Sequence, residues 1–301
     1  MIKIMLTGAN GFLASNLLDR LKKINCEVLL IDKKKNNNII KNRKYKFKKI
    51  DISKKEQLKK IKNCEIDLII HTAAVQPVKK IKDFKNFYDG NVKSTYNLID
   101  TFGKKVNKII YSSSFSIYNT NSSLKNIKET YKSQPRNFYG LTKKISEDLL
   151  IHFSKIFNYK LVILRFDGIF GKNQNLPGFI NTCFQLMQKD KKIEIFNKGA
   201  NRRDHIYVDD CSQAIIKSIA LKSNKDEIIN IGGGQPIAQR KIAEFIKKKL
   251  NSKSKIILSK KKNKNFSGDV YMNIDKARKI LKFKPKDIFY NLNLMAKKNE
   301  K

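Results

Sequence analysis

Long apolar runs are missing from this sequence. The N-terminal MIKIMLTGAN turns to glycine and asparagine after one short apolar stretch, unlike the long apolar h-region of a signal peptide. No later segment approaches the roughly 20 apolar residues that a membrane-spanning helix needs, so a cytoplasmic protein without a membrane partner is expected. Cysteine is scarce as well. Cys26, Cys64, Cys183 and Cys211 lie far apart without CxxC spacing, which argues against a zinc knuckle and a disulfide framework and predicts buried or half-buried free thiols. With only three histidines, His71, His152 and His205, a catalytic metal cluster is disfavoured and no metal is expected. Neither a Pro/Ser-rich linker nor an internal repeat divides the chain.

Acidic residues are few: 26 against 65 basic ones, for a formal net charge of +39. Such a surplus raises nucleic acid or an anionic membrane as a partner. The basic residues, however, are mainly lysines spread from end to end among many Asn and Ile residues, all three with A/T-rich codons. The denser runs, Lys33 to Lys35 before Asn36 to Asn38 and Lys260 to Lys264, read as solvated loops. No helix-turn-helix, zinc-finger or RNP signature accompanies the charge, so no specific nucleic-acid partner is expected. The positive field favours an anionic substrate instead.

What is present is an apolar fraction of 41% over 301 residues, enough for a substantial core. Short β-branched runs alternate with amphipathic stretches, the sign of βαβ units and a parallel sheet. Strands are predicted at Ile2 to Leu6, Val28 to Ile31, Asp67 to Ile70, Lys108 to Tyr111, Leu161 to Leu164 and Ile228 to Ile231. Phe12, Leu13, Asn16, Leu17, Leu21 and Ile24 recur at helical spacing, and longer helices are predicted from about Asn86 to Phe102 and Phe138 to Phe157. The expected fold is α/β, a doubly wound parallel-sheet Rossmann fold with a smaller C-terminal substrate lobe. Residues 1–165 make the dinucleotide domain, with 205–232 returning to it; residues 166–204 and 233–301, punctuated by Gly171, Pro177 and Gly178, make the lobe.

Three motifs carry chemistry. TGANGFLA, Thr7 to Ala14, joins the first strand to the first helix. Gly8 permits the tight turn, Gly11 lets backbone N–H groups approach a pyrophosphate, and the helix N-terminus favours its charge. Asp32 ends the second strand, where a carboxylate accepts from the adenosine ribose hydroxyls and repels a 2′-phosphate; that favours NAD over NADP, although the lysines after it weaken the preference. In Tyr139-Gly140-Leu141-Thr142-Lys143 the phenol and the ammonium share a helix face, and a nearby cation is expected to lower the phenol's pKa towards general acid/base use. YSSSFSIY, Tyr111 to Tyr118, follows an apolar strand and ends in the crevice where open α/β sheets bind ligands. Ser114 is preferred there over Ser112 and Ser113 as the hydroxyl that bonds the reacting oxygen.

With TGANGFLA, Asp32, Asp51-Ile52, HTAAV (His71 to Val75), Asn91, YSSSFSIY, YGLTK, LRFDGIFG, RRDHIYVDD (Arg202 to Asp210) and NIGGGQP (Asn230 to Pro236) in order, nearly the whole chain resembles the extended short-chain dehydrogenase/reductase family. The likeness is to its NAD-dependent nucleotide-sugar epimerase/dehydratase branch. The resemblance implies catalysis by Tyr139, Lys143 and Ser114, and an NAD site from Gly8, Asn10, Gly11, Phe12, Leu13, Asp32, Asp51, Ile52, Ala73, Ala74, Asn91, Ser112, Tyr139 and Lys143. Ser114, Gly168 and Arg203 would contact a nucleotide-sugar substrate, and a homodimer is implied. His71 is read as structural, since no carboxylate partner is visible. In the implied cycle Tyr139 takes a sugar hydroxyl proton as hydride moves to NAD, and the keto sugar then receives the hydride on its other face.

The chain departs from the branch at several points. Ala14 replaces a third glycine, a change small enough to tolerate. Gly168, after Asp167, stands where asparagine is common, and Phe266 stands where an arginine often grips diphosphate. Phe115-Ser116 after Ser114 lacks the Asp-Glu pair of a 4,6-dehydratase, so dehydration is disfavoured. The leading expectation is a 4-epimerase-like enzyme; an NAD(P)H-dependent keto-sugar reductase and a non-catalytic cofactor-sensing or nucleic-acid-binding scaffold are the rivals.

Overall fold

The computed structural model describes residues 1–34, 42–77, 83–118, 123–174, 178–261 and 268–297. Pro177, Phe266 and parts of both lysine runs lie outside the described residues.

The apolar runs of the first half form one sheet because each is hydrophobic on both faces. Strands β1 (Ile2–Thr7), β2 (Cys26–Asp32), β3 (Tyr45–Lys49), β4 (Leu68–His71), β5 (Lys108–Ser114), β6 (Lys160–Phe166) and β7 (Glu227–Ile231) are all parallel. Their order is β3-β2-β1-β4-β5-β6-β7, so the direction of winding reverses between β1 and β4. Ligand crevices of doubly wound sheets form at such a switch point.

Helices cover both faces. α1 (Phe12–Leu21) and α4 (Val208–Ala220) bury Leu17, Leu21, Cys211 and Ile215 with Ile4, Leu30, Leu164 and Ile229 on one side. α2 (Ser94–Phe102) and α3 (Phe138–Phe157) bury Leu98, Phe102 and Leu150 with Met5, Ile69, Ile109 and Ile163 on the other. Alternate residues of each strand thus serve opposite cores. Ala14 is fully buried against the sheet, where its methyl is accommodated.

Residues 205–232 contribute α4 and β7 to this sheet. A third core gathers the helices Phe179–Met187, Gln239–Lys249 and Ile288–Lys297 around Phe184, Ile246 and Leu292. The stretch after residue 233 does not belong wholly to that third core: Ile274, Ala277, Leu281 and Phe283 pack into the α1/α4 side of the main sheet.

Two details differ from the sequence reading. β3 has no apolar run; Tyr45 and Phe47 alternate with lysines on an edge strand, and charge on an edge discourages pairing with a further chain. Among the thiols, Cys26, Cys183 and Cys211 are buried, whereas Cys64 is exposed, and all four are free. Among the described residues no helix is long and apolar enough to cross a membrane.

Candidate active site

A cleft of about 1070 Å³ runs over the C-terminal ends of the strands. At one end lies the glycine turn. Gly8 has φ +70°, and a Cβ there would come within 2.6 Å of the Ala73 Cα, so only glycine lets β1 turn this close to the strand β4 exit. A Cβ on Gly11 would stand 2.9 Å from the Gly8 carbonyl oxygen. α1 starts at Gly11 with no side-chain cap, leaving its N-terminal dipole facing the cleft for a pyrophosphate. Asp32 lies beside this turn: its Oδ2 accepts from the Asn10 N–H at 3.1 Å and its Oδ1 from the Lys34 N–H at 3.0 Å. Asp51 and Ile52 continue the wall. A tight glycine cradle, an uncapped helix start and a carboxylate beside them in one cleft fit a dinucleotide.

Beneath the cleft His71 is fully buried. Thr95 donates to the Asn91 carbonyl at 2.6 Å, so its hydroxyl oxygen accepts from His71 Nε2 at 2.9 Å and Nδ1 accepts from the Thr7 hydroxyl at 2.7 Å. Burial pushes the imidazole down to about 3, so it is a neutral tie between β1, β4 and α2.

At the other end β5 delivers its serines. Ser113 Oγ donates to Glu147 Oε1 at 2.5 Å, below the cleft. Ser114 Oγ accepts the Ser116 N–H at 3.1 Å and lies within hydrogen-bonding reach of the Tyr139 phenol. α3 can present Tyr139 at this point because Asn137 caps it, accepting the Gly140 N–H at 2.7 Å. Gln76 also reaches the phenol. It follows HTAAV in the sequence, and nothing in its spacing singles it out there.

Burial raises the Tyr139 pKa; the bonds with Gln76 and Ser114 work in the opposite direction. This corrects the expectation that Lys143 lowers the phenol's pKa, because the amine is engaged elsewhere. Lys143 is buried under the cleft, donates to the Ser112 carbonyl at 2.5 Å, and stands 4.0 Å from the centroid of the Tyr111 ring. Burial pushes it down to about 7, against the opposing pull of Glu147. Glu147 in turn forms a bidentate pair with Arg165, at 3.1 and 2.7 Å, and Arg165 also donates to the Tyr118 hydroxyl at 2.7 Å.

Fourteen of the anticipated residues line the cleft: Gly8, Asn10, Gly11, Phe12, Leu13, Asp32, Asp51, Ile52, Ala73, Ala74, Ser112, Ser114, Tyr139 and Gly168. Lys143, Asn91 and Arg203 do not. Asn91 is a buried brace: Oδ1 accepts the Val75 N–H at 2.7 Å and Nδ2 donates to Thr142 Oγ1 at 2.9 Å. Arg203 is buried in the field of Asp167 and Asp269. At Gly168 φ is +44°, and a Cβ would stand 2.7 Å from His205 Nδ1. The glycine where the branch commonly has asparagine is therefore matched to the His205 ring.

A family model described as the NAD dependent epimerase/dehydratase family matches residues 4–232. The chain belongs to that family. As a member it is an NAD-dependent enzyme, and the cleft just described fits that cofactor. Its relatives include a putative UDP-glucose 4-epimerase of Methanocaldococcus jannaschii, 28% identical with 92% of each chain covered. A dTDP-D-glucose 4,6-dehydratase of Dictyostelium discoideum is 30% identical over 81% of this chain and 61% of that one. A solved structure of UDP-glucuronic acid 4-epimerase from Bacillus cereus, in complex with UDP-glucuronic acid and NAD, is 26% identical and covers 98% of each chain with a TM-score of 0.85.

Proposed function

We propose that the chain is a nucleotide-sugar 4-epimerase working through a transient keto sugar. The observation that carries this is the convergence of the Tyr139 phenol and the Ser114 hydroxyl in a cleft that begins at Gly8. The relatives named as UDP-sugar 4-epimerases support the substrate class.

In this reading Ser114 holds the oxygen of the sugar C4 hydroxyl and Tyr139 takes its proton. Bound NAD supplies the hydride acceptor and donor at C4. Burial disfavours the phenolate, so Tyr139 accepts the sugar proton only after its own phenolic proton has passed to solvent. Gln76 and Ser114 stabilise that phenolate, and Lys143 beneath the cleft positions the helix that carries it. After the keto sugar turns over, Tyr139 returns the proton. Substrate phosphates benefit from the basic surroundings, and residues 166–204, with the part of 233–301 that joins the third core, form the substrate lobe.

Elimination of water is not favoured. The side chains following Ser114 in the cleft are Phe115 and Ser116, so the acid/base pair a 4,6-dehydratase needs is missing there.

Part of the proposal is a homodimer. Phe84, Tyr88, Tyr96, Phe138, Leu141 and Ile156 are exposed on α2, α3 and the helical turns before α2, with Phe84 in ring contact with Tyr88 and Phe138; exposed apolar side chains of this kind suit an interface. A second copy presenting the same face would cover it.

The test is the fate of the cofactor. The purified enzyme should turn over a nucleoside-diphosphate hexose with its own NAD and no net oxidation of added NADH. Stoichiometric NADH consumption would make it a reductase, and no reaction with or without Tyr139→Phe would leave only a cofactor-binding scaffold.

A further inference from the structure

Tyr139, Lys143 and Glu147 recur every four residues along α3, so they share one helix face. Each meets one residue of the serine run that ends β5. The Tyr139 phenol reaches Ser114, the Lys143 amine donates to the Ser112 carbonyl at 2.5 Å, and Glu147 Oε1 accepts from the Ser113 hydroxyl at 2.5 Å. Three turns of one helix thus hold three consecutive residues of one strand. The first two contacts belong to the reacting pair and its brace. The third takes no part in proton transfer, yet Glu147 and Ser113 are 0% and 4% exposed.

A carboxylate this deep needs compensation. Arg165 on β6, the register partner of Ser113, supplies it with two bonds at 3.1 and 2.7 Å. Arg165 is held in turn: its Nη1 donates to the Tyr118 hydroxyl at 2.7 Å, and Tyr118 donates at 3.0 Å to Oδ1 of Asn230, the register partner of Arg165 on β7. Asn230 Nδ2 donates to the Ile127 carbonyl at 2.9 Å. Ser113, Glu147, Arg165, Tyr118 and Asn230 are all buried, and a buried polar row whose members satisfy one another is stiff. It ends at the Ser113 hydroxyl, one residue before Ser114, so the exit of β5 is set from beneath the cleft. We propose that Glu147 is a positioning residue of the reaction: through Ser113 it fixes the end of β5 so that the Ser114 hydroxyl stays against the Tyr139 phenol. Arg165 and the row behind it hold that carboxylate still. The proposal rests on the reading of Tyr139 and Ser114 as the reacting pair.

Ser113→Ala breaks the contact and leaves the Glu147–Arg165 pair in place, whereas Glu147→Met with Arg165→Met removes the pair together. The NAD-loaded proteins are assayed for C4 interconversion of UDP-glucose and UDP-glucuronic acid. Tyrosine isotopically labelled at its ζ carbon reports the phenol by NMR, with the Tyr139 resonance assigned by its loss in Tyr139→Phe. Ser113→Ala is expected to lower kcat about tenfold, part of the roughly hundredfold that a 1 Å misplacement can cost, with KM and bound NAD within about twofold of the parent. The Tyr139 resonance is expected to move. In the background lacking Glu147 and Arg165 the same substitution is expected to cost less than about twofold, because the bond is already gone. A loss confined to KM, an equal loss in the two backgrounds, or kcat and resonance both unchanged in Ser113→Ala would each overturn the proposal. A parent that turns over neither sugar would instead overturn the reading of the reacting pair, and the resonance would then decide the role of Glu147 alone.

Discussion

Lys143 donates from its buried amine to the carbonyl oxygen of Ser112 at 2.5 Å, tying the catalytic helix to the strand that ends in Ser114. The bond fixes α3 against β5 and so sets where the Tyr139 phenol stands. It also places an ionisable group where its charge is costly, since burial pushes the amine down to about 7.

That shift has a thermodynamic sign. The unfolded chain keeps the Lys143 proton up to its ordinary pKa of 10.5, whereas the folded protein releases it near 7. Between these values the unfolded state binds more protons, so this group makes stability rise with pH across the window. Urea unfolding of the ligand-free protein is expected to show a smaller rise for Lys143→Met than for the unaltered protein. Identical slopes would contradict the shift.

Gln76 lines the cleft and acts on the Tyr139 phenol. Gln76→Leu removes one bond that holds the Tyr139 pKa down, so the group titrating in the kcat/KM profile is expected to move to higher pH while cofactor binding is retained. An unchanged profile would show that Gln76 does not touch the working phenol.

The Glu147–Arg165 pair is 1% and 4% exposed at its side chains. Arg165→Met leaves the carboxylate uncompensated in the interior and is expected to cost about 3–5 kcal/mol in denaturant unfolding. Much of this should return in the double variant with Glu147→Met. A single variant as stable as the parent would mean that the pair is solvated.

The apolar face of α2 and α3 is expected to hold two copies together. Charge placed there, as Tyr96→Glu with Ile156→Glu, should shift the sedimentation of the protein from dimer to monomer at low micromolar concentration while leaving bound NAD in place. A parent protein that already sediments as a monomer would dismiss the interface.

The sheet was legible because six of its strands are apolar runs bounded by turn residues, and Gly8 and Asp32 stood at the ends that matter. β3 was not, because Tyr45 and Phe47 alternate with edge lysines and resemble a charged loop. Ser114 was separable from Ser113 in principle, since neighbouring strand residues face opposite ways; the structure gives Ser113 to Glu147. Gln76 and the Glu147–Arg165 pair were invisible, as their partners are distant in sequence and no periodicity links them. Asn91 came from family resemblance and Lys143 from the helix face it shares with Tyr139, and their buried bracing bonds belong to tertiary packing that a linear pattern does not encode.

The most direct measurement follows configuration at C4 by NMR, with the NAD-loaded protein and a panel of UDP-hexoses and UDP-hexuronic acids. The account expects at least one substrate to interconvert with its C4 epimer without net change in NADH, and Tyr139→Phe to slow this by about 10²–10⁴-fold while keeping its NAD. Epimerisation at full rate in Tyr139→Phe, or a panel left untouched by the NAD-loaded protein, would contradict it.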